Sequence, residues 1–179
     1  MPPIFIITGP PAAGKSTIAK AILQRFDKGL HIPVDDLREW VVSGIAHPVG
    51  WTEETTRQFR LAEDGACQVA KNYHDAGFAI AIDHCAGPNS LNDMIERWLH
   101  GLTVHRLVLA PTLEANQHRN RTRQGKNFDA GILETTIERL NPMFRSEHPD
   151  LQGWVRIDNT NQTIEETVGS ILAGVSTPK

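Results

Sequence analysis

The sequence predicts a three-layer α/β/α fold around a five-stranded parallel sheet, with a small helical lid. Three observations lead there. Short apolar runs rich in β-branched residues alternate with segments of helical period along the whole chain. The stretches between successive strands are long enough for the helical crossovers that parallel strands require. The polar clusters of chemical interest fall just after strands, where open α/β sheets bind their ligands.

Ile4 to Thr8 has the continuous apolar character of a strand buried on both faces. Gly9 to Gly14 is a glycine- and proline-rich turn, and helical spacing then runs from Lys15 to Phe26 through Ile18, Ala19, Ile22 and Leu23. A second strand, Leu30 to Val34, precedes a helix from about Asp36 to Val42. Ser43 to Trp51, with Gly44, Pro48 and Gly50, is a loop. Thr52 caps a long helix, Glu53 and Glu54 sit in its positive first turn, and Gly77 ends it. Its buried face is expected through Phe59, Ala62, Ala66, Val69, Ala70 and Tyr73. Phe78 to Ile82 is a third strand, Pro88 to Leu99 a helix and Val104 to Ala110 a fourth strand. Thr112 opens a polar helix, and another runs from about Ala130 to Phe144. Trp154 to Ile157 is the last strand, and Thr163 with Glu166 has capping-box spacing for a final helix.

With no internal repeat, low-complexity tract or composition break, residues 1–179 read as one domain. A net charge of -3 argues against a general nucleic-acid coat, which needs basicity, and leaves only local basic patches open. The two cysteines, Cys67 and Cys85, have no framework spacing, so a reducing cytoplasm suits the chain. Met1 to Ile7 lacks the basic start of a secretory signal, and no apolar run approaches the roughly 20 residues of a membrane span.

Gly9-Pro10-Pro11-Ala12-Ala13-Gly14-Lys15-Ser16 matches G-x-x-x-x-G-K-[ST], the Walker A or P-loop pattern. Gly9 and Gly14 allow a loop whose backbone N–H groups form an anion nest, and the helix opening at Lys15 aims its positive end at the same point. Lys15 reaches the β- and γ-phosphates of ATP, the Ser16 hydroxyl ligates Mg²⁺, and Pro10, Ala12, Ala13 and Thr17 complete the nucleotide cradle. The predicted fold is therefore that of a P-loop NTPase. Asn159, in the loop Asn159-Thr160-Asn161, is expected to border the base.

Asp35 and Asp36 follow the second strand. Phosphoryl transfer to an alcohol needs a carboxylate that orients the hydroxyl and takes its proton, and Asp35 is the candidate base. The alternative for both acids is helix capping, for which Asp36 is the better candidate. Asp83 ends the third strand in a Walker-B-like position, a candidate for Mg²⁺ or substrate. Its neighbours His84 and Cys85 have no further ligands at zinc-like spacing and are read as pocket lining or core. From His118 to Lys126 the chain is rich in arginine, with Arg119 and Arg123 sharing a helical face and Arg121 pointing elsewhere. This segment is a candidate lid, at about 118–128, that neutralises the transferring phosphoryl group; a solvated basic face is the bland alternative.

These stations together resemble the P-loop kinase superfamily over nearly the whole chain. The pattern is similar to the kinase domain of phage polynucleotide kinase, to chloramphenicol phosphotransferase and to gluconate kinase. It rests on Gly9 to Ser16, Asp35-Asp36-Leu37-Arg38, Asp83 and Arg119-Asn120-Arg121-Thr122-Arg123. The resemblance implies Asp35 as base, Arg38 as an acceptor contact, Arg123 as lid arginine on the phosphates and Arg119 near the adenine. Arg121 departs from the family's spacing, so either it or Arg123 fills the catalytic place.

The acceptor pocket is expected between the second strand and the long helix, from Arg38, Trp40, His47, Trp51, Arg57 and Arg60, with His84 alongside. Either tryptophan could instead be core, the commoner fate of such a ring. The leading expectation is an ATP- and Mg²⁺-dependent cytoplasmic kinase acting on a hydroxyl of a small molecule. The rivals are a polynucleotide 5′-hydroxyl kinase and an ATP-hydrolysing switch protein.

Overall fold

The computed structural model describes residues 1–122, 130–146 and 151–175. Five strands form: β1 Ile4–Thr8, β2 Gly29–Pro33, β3 Ala79–Asp83, β4 Val104–Leu109 and β5 Val155–Ile157. They pair in parallel in the order β2-β3-β1-β4-β5. The helices are α1 Lys15–Leu23, α2 Val34–Glu39, α3 Glu53–Asp75, α4 Pro88–Trp98, α5 Leu113–Thr122, α6 Ala130–Arg145 and α7 Ile164–Ala173.

Strand alternation sends side chains to two cores. Phe5 and Ile7 of β1 face one way, with Ala79, Ala81, Leu107 and Leu109, and pack against Ile18, Ala19 and Ile22 of α1 and Val168 and Ile171 of α7. Ile4 and Ile6 face the other way, with Ile80, Ile82 and Val108, against Ala62, Ala66 and Ala70 of α3 and Leu91, Met94 and Ile95 of α4. Each fully buried Ile, Leu or Phe contributes about 1.5–3 kcal/mol, so β1, hidden on both faces, anchors the domain's layers.

Two caps appear as the sequence predicts. Thr52 and Thr163 each accept from the backbone N–H three residues on, and each closes a capping box. The buried stripe of α3 differs from the expected one. Val69 and Tyr73 are 37% and 43% exposed, and the stripe runs instead through Gln58, Glu63, Cys67 and His74 beside the alanines. Small residues let this helix lie close to the sheet, and that approach turns the bulkier Val69 and Tyr73 onto the shoulder. The helix α2 also starts earlier than expected. Pro33 occupies its cap position, so Asp36 is not the cap, and both acids lie in the first turn. No described helix is long and apolar enough to cross a membrane.

The register brings the strand ends level. Ile7 pairs with Asp83, Thr8 with Val108 and Pro33 with Asp83. The His84 N–H donates to the Ile7 carbonyl at 3.1 Å, so the turn after β1 and the residue after β3 leave the sheet side by side.

Candidate active site

The turn after β1 is built from unusual backbone. Gly9 has φ 148°, Gly14 has φ 96°, and between them Ala12 adopts φ 61°, a left-handed conformation that an alanine takes at a cost of about 1–2 kcal/mol. A Cβ on Gly9 would stand 2.4 Å from the Leu109 carbonyl oxygen, so only glycine passes the end of β4. Lys15 is 9% exposed, and its Nζ donates to the Gly9 and Pro10 carbonyls at 3.1 and 3.0 Å. Its charge therefore sits over the loop. Ser16 and Thr17 follow in the first turn of α1, half-buried and exposed respectively.

The outer side of the loop is fastened by polar side chains from the last third of the chain. Asn159 Nδ2 donates to the Ala13 carbonyl at 3.0 Å, and Asn116 Nδ2 to the Pro11 carbonyl at 2.5 Å. Asn141 holds Asn116 in turn, Nδ2 to Oδ1 at 3.0 Å. Arg119 donates to the Ala13, Asn159 and Thr160 carbonyls at 3.3, 2.7 and 3.3 Å. Burial lowers the Arg119 pKa, against the opposing charge of Asp158. An open cleft of about 480 Å³ adjoins this region, lined by Thr112, Asp158, Thr160, Asn161, Gln162 and Glu166. Arg121 instead pairs with Glu134 of α6 on an exposed surface. Arg123 and the rest of the expected lid, residues 123–128, lie outside the described residues.

The acidic side holds two histidine–carboxylate contacts that the sequence motifs did not announce. Asp83, 4% exposed, has Oδ2 2.5 Å from His31 Nε2 on the neighbouring strand β2. His84, 2% exposed, has Nε2 3.2 Å from Glu63 Oε1 on α3 and Nδ1 3.7 Å from Asp35 Oδ1 on α2. Burial disfavours charge on His84, yet the two carboxylates outweigh it and its pKa is raised. The neighbouring Cys85 thiol is pushed up by burial; Lys15 opposes that shift, and Asp35 and Asp83 add to it.

Around the same histidine lies a platform of flat groups. The Arg38 guanidinium carbon sits 3.8 Å from the Phe59 ring centre, and Trp51 stacks on that ring at 5.0 Å and 6°. Arg38 is 8% exposed and donates to the Ala46 carbonyl at 2.5 Å. Burial lowers its pKa, with Asp35 opposing. Gln58 fixes the same loop, accepting from the Ala46 N–H and donating to the Gly44 carbonyl, both at 2.8 Å.

The core alternative for the tryptophans fails: Trp40 is 74% and Trp51 59% exposed. Arg57 is spent on Glu54, to which it donates twice at 2.7 and 3.0 Å. The sequence reading gave no site role to Glu63, His31, Asn116 and Asn141, and read Phe59 only as part of the buried face of α3. One signal existed for Glu63, a charged residue set among Ala62 and Ala66 on an apolar face, where burial demands a partner.

The chain matches the family of chloramphenicol phosphotransferase-like proteins over residues 3–175. It belongs to that family. It is thus a P-loop kinase-type phosphotransferase, and the likenesses to solved structures agree in fold. A sugar kinase from a Janibacter species superposes with a TM-score of 0.68 at 19% identity, covering 97% of this chain and 94% of its own. The tunicamycin resistance protein of Deinococcus radiodurans gives 0.68 at 18% identity, with 99% and 98% covered. A gluconokinase from Sinorhizobium meliloti gives 0.61 at 20%, with 97% and 91% covered. No curated protein sequence matches this chain.

Proposed function

We propose that this phosphotransferase moves the γ-phosphoryl group of ATP to a hydroxyl of a small molecule, with Asp35 as general base. The observation that carries the reading is the level register of β1, β3 and β2, from whose carboxyl ends the loop leading to Lys15, the buried Asp83 and the first turn of α2 with Asp35 emerge. It puts the Lys15 ammonium beyond β1 and the half-exposed Asp35 carboxylate beyond β2, on either side of β3. Asp35 accepts the acceptor's hydroxyl proton, the freed oxygen attacks the γ-phosphorus, and the bond to ADP breaks with its electrons leaving on the β-phosphate oxygen.

The donor set fits Mg²⁺. Ser16 supplies a hydroxyl and Asp83 a carboxylate with one oxygen engaged by His31, both hard oxygen donors. Among the described residues no group of three or more His, Cys, Asp or Glu side chains could hold a metal, so phosphate oxygens and water would complete its shell. When bound, the ion neutralises charge on the β- and γ-phosphates.

Arg119, Asn159 and the adjoining cleft support a nucleoside-binding role for that side. Trp51, Phe59 and Arg38 support an acceptor with a flat apolar part and polar substituents. Arg121 and Arg123 are retained as candidates for the lid arginine.

The test is label transfer from γ-labelled ATP with Mg²⁺ to a panel of chloramphenicol, gluconate, hexoses, nucleosides and 5′-hydroxyl oligonucleotides. Label in a small molecule, lost in Asp35→Asn, is the expected result. No labelled acceptor, together with ATP hydrolysis unchanged in Asp35→Asn, would overturn the reading. Transfer to oligonucleotides alone would replace it with polynucleotide 5′-hydroxyl kinase activity.

A further inference from the structure

A buried histidine and a buried glutamate meet just beyond the end of β3. Glu63 is 5% exposed, on the buried face of α3 beside Ala62, Ala66 and Cys67. Its Oε1 lies 3.2 Å from His84 Nε2, and its Oε2 lies 4.0 Å from Arg97 of α4. Arg97 is itself held by Asp64 at 2.6 Å and Asp93 at 3.1 Å. The His84 ring also packs on Phe59, centroids 5.6 Å apart. The imidazole is therefore held at the end of β3 by Glu63 and Phe59 of α3, with Arg97 of α4 behind Glu63.

Such a cluster is a poor device for stability. Burying a carboxylate and an imidazole costs desolvation that their attraction barely repays, and apolar residues of the same volume would serve the fold as well or better. What the arrangement offers is direction. His84 Nδ1 makes no hydrogen bond among the described residues, and the carboxylate in front of it, at 3.7 Å, belongs to Asp35. A buried nitrogen left in that condition costs about 1–3 kcal/mol. A shift of about 1 Å in the first turn of α2 would bring the pair to hydrogen-bond distance, as happens when loose apo contacts tighten around substrate.

We propose that His84 and Glu63 are positioning residues for Asp35: Glu63 holds the imidazole, and the imidazole holds one oxygen of Asp35 so that the other faces the acceptor hydroxyl. The inference rests on the reading of Asp35 as the base. It ties the half-exposed Asp35, on a helix of six residues, to groups anchored in the core.

The experiment is a double-mutant cycle on turnover of Mg²⁺·ATP, read as ADP release with chloramphenicol as acceptor and with water alone. His84→Ala and Glu63→Ala are each expected to lower kcat about 10–100-fold, the scale of a 1 Å misplacement, with KM for ATP within about twofold. Glu63→Gln, which keeps the acceptor for Nε2–H, should recover part of the loss. Asp35→Ala with His84→Ala should be no slower than Asp35→Ala alone, because His84 acts only through Asp35. His84→Ala with unchanged kcat, or a double mutant slower by the product of the two single effects, would overturn the proposal. Full turnover in Asp35→Asn would instead sink the base assignment, which separates the two failures. Should His84→Ala fail to fold, His84→Asn and Glu63→Gln carry the cycle. A readout free of any acceptor is the His84 imidazole signal in NMR of histidine-labelled protein. It should shift in both Asp35→Ala and Glu63→Ala, and an unmoved signal in Asp35→Ala would also refute the link.

Discussion

Gly9→Ala tests whether the phosphate loop is shaped by steric necessity at the end of β4. The added Cβ would meet the Leu109 carbonyl oxygen at 2.4 Å, about 1 Å inside ordinary contact, at a residue whose φ is +148°. The obstacle is backbone in a buried strand, so no flexible side chain can move aside. Overpacking of this kind costs about 1–3 kcal/mol, and the strained dihedral adds about 1–3 kcal/mol, for a total of about 2–6 kcal/mol. In a chain of 179 residues each kcal/mol moves the melting temperature by about 2–4 °C, so a fall of at least about 4 °C is expected. Thermal melts followed by circular dichroism measure it, and titration with a fluorescent ATP analogue measures the accompanying loss of affinity. Gly65→Ala is the paired control. Gly65 lies inside α3, and its added Cβ meets nothing within 4 Å, so this variant should be more stable by about 0.4–1 kcal/mol and bind nucleotide normally. A Gly9→Ala protein that melts within 1 °C of wild type (a tolerance of about a quarter of the expected shift) and binds ATP equally well would refute the reasoning.

Lys15→Ala removes a charge-assisted donor to phosphate and should weaken ATP binding about 10–100-fold by calorimetry; equal affinity would deny Lys15 that role. Asn159→Ala deletes the buried bond to the Ala13 carbonyl and should cost about 1–3 kcal/mol by denaturant titration, together with weaker ATP binding. Glu54 is held down to about 2 by the hydrogen bond from Arg57 and then that from Gln58. Its contribution to stability is present above its ordinary value of 4.5 and is lost as pH falls towards about 2. Melting curves of wild type and Glu54→Gln should therefore differ modestly at neutral pH and converge in strong acid; a gap that widens in acid would contradict the assignment.

Much of the fold was legible because its signals are local. The apolar run Ile4–Ile7, the caps at Thr52 and Thr163, and the spacing Gly9 to Ser16 each act within a few residues, so the amino-acid pattern carries them unaided. The loop's glycines were legible for the same reason, although the left-handed Ala12 was not, since nothing in an alanine announces a positive φ. Helical period identified α3 but mistook its buried edge. The period marks a stripe about 100° wide, and only the distance of closest approach to the sheet decides that Ala62, Ala66 and Ala70 lie at its centre while Val69 and Tyr73 do not.

The candidate site divides the same way. Lys15, Ser16, Asp35 and Asp83 could be named from the chain alone, because each follows or ends a strand in a recognisable neighbourhood. The sequence by itself thus named the phosphate loop and the carboxylates after β2 and β3 as candidates. What only the tertiary structure decided is who holds those groups. His31 meets Asp83 across 52 positions of sequence and His84 meets Glu63 across 21. Asn159 reaches Ala13 across 146. No local pattern encodes such pairs: they exist because the strand order places β2 beside β3 under α3 and brings the end of β5, across β4, towards the loop after β1, and burial then requires each polar atom to find a partner there.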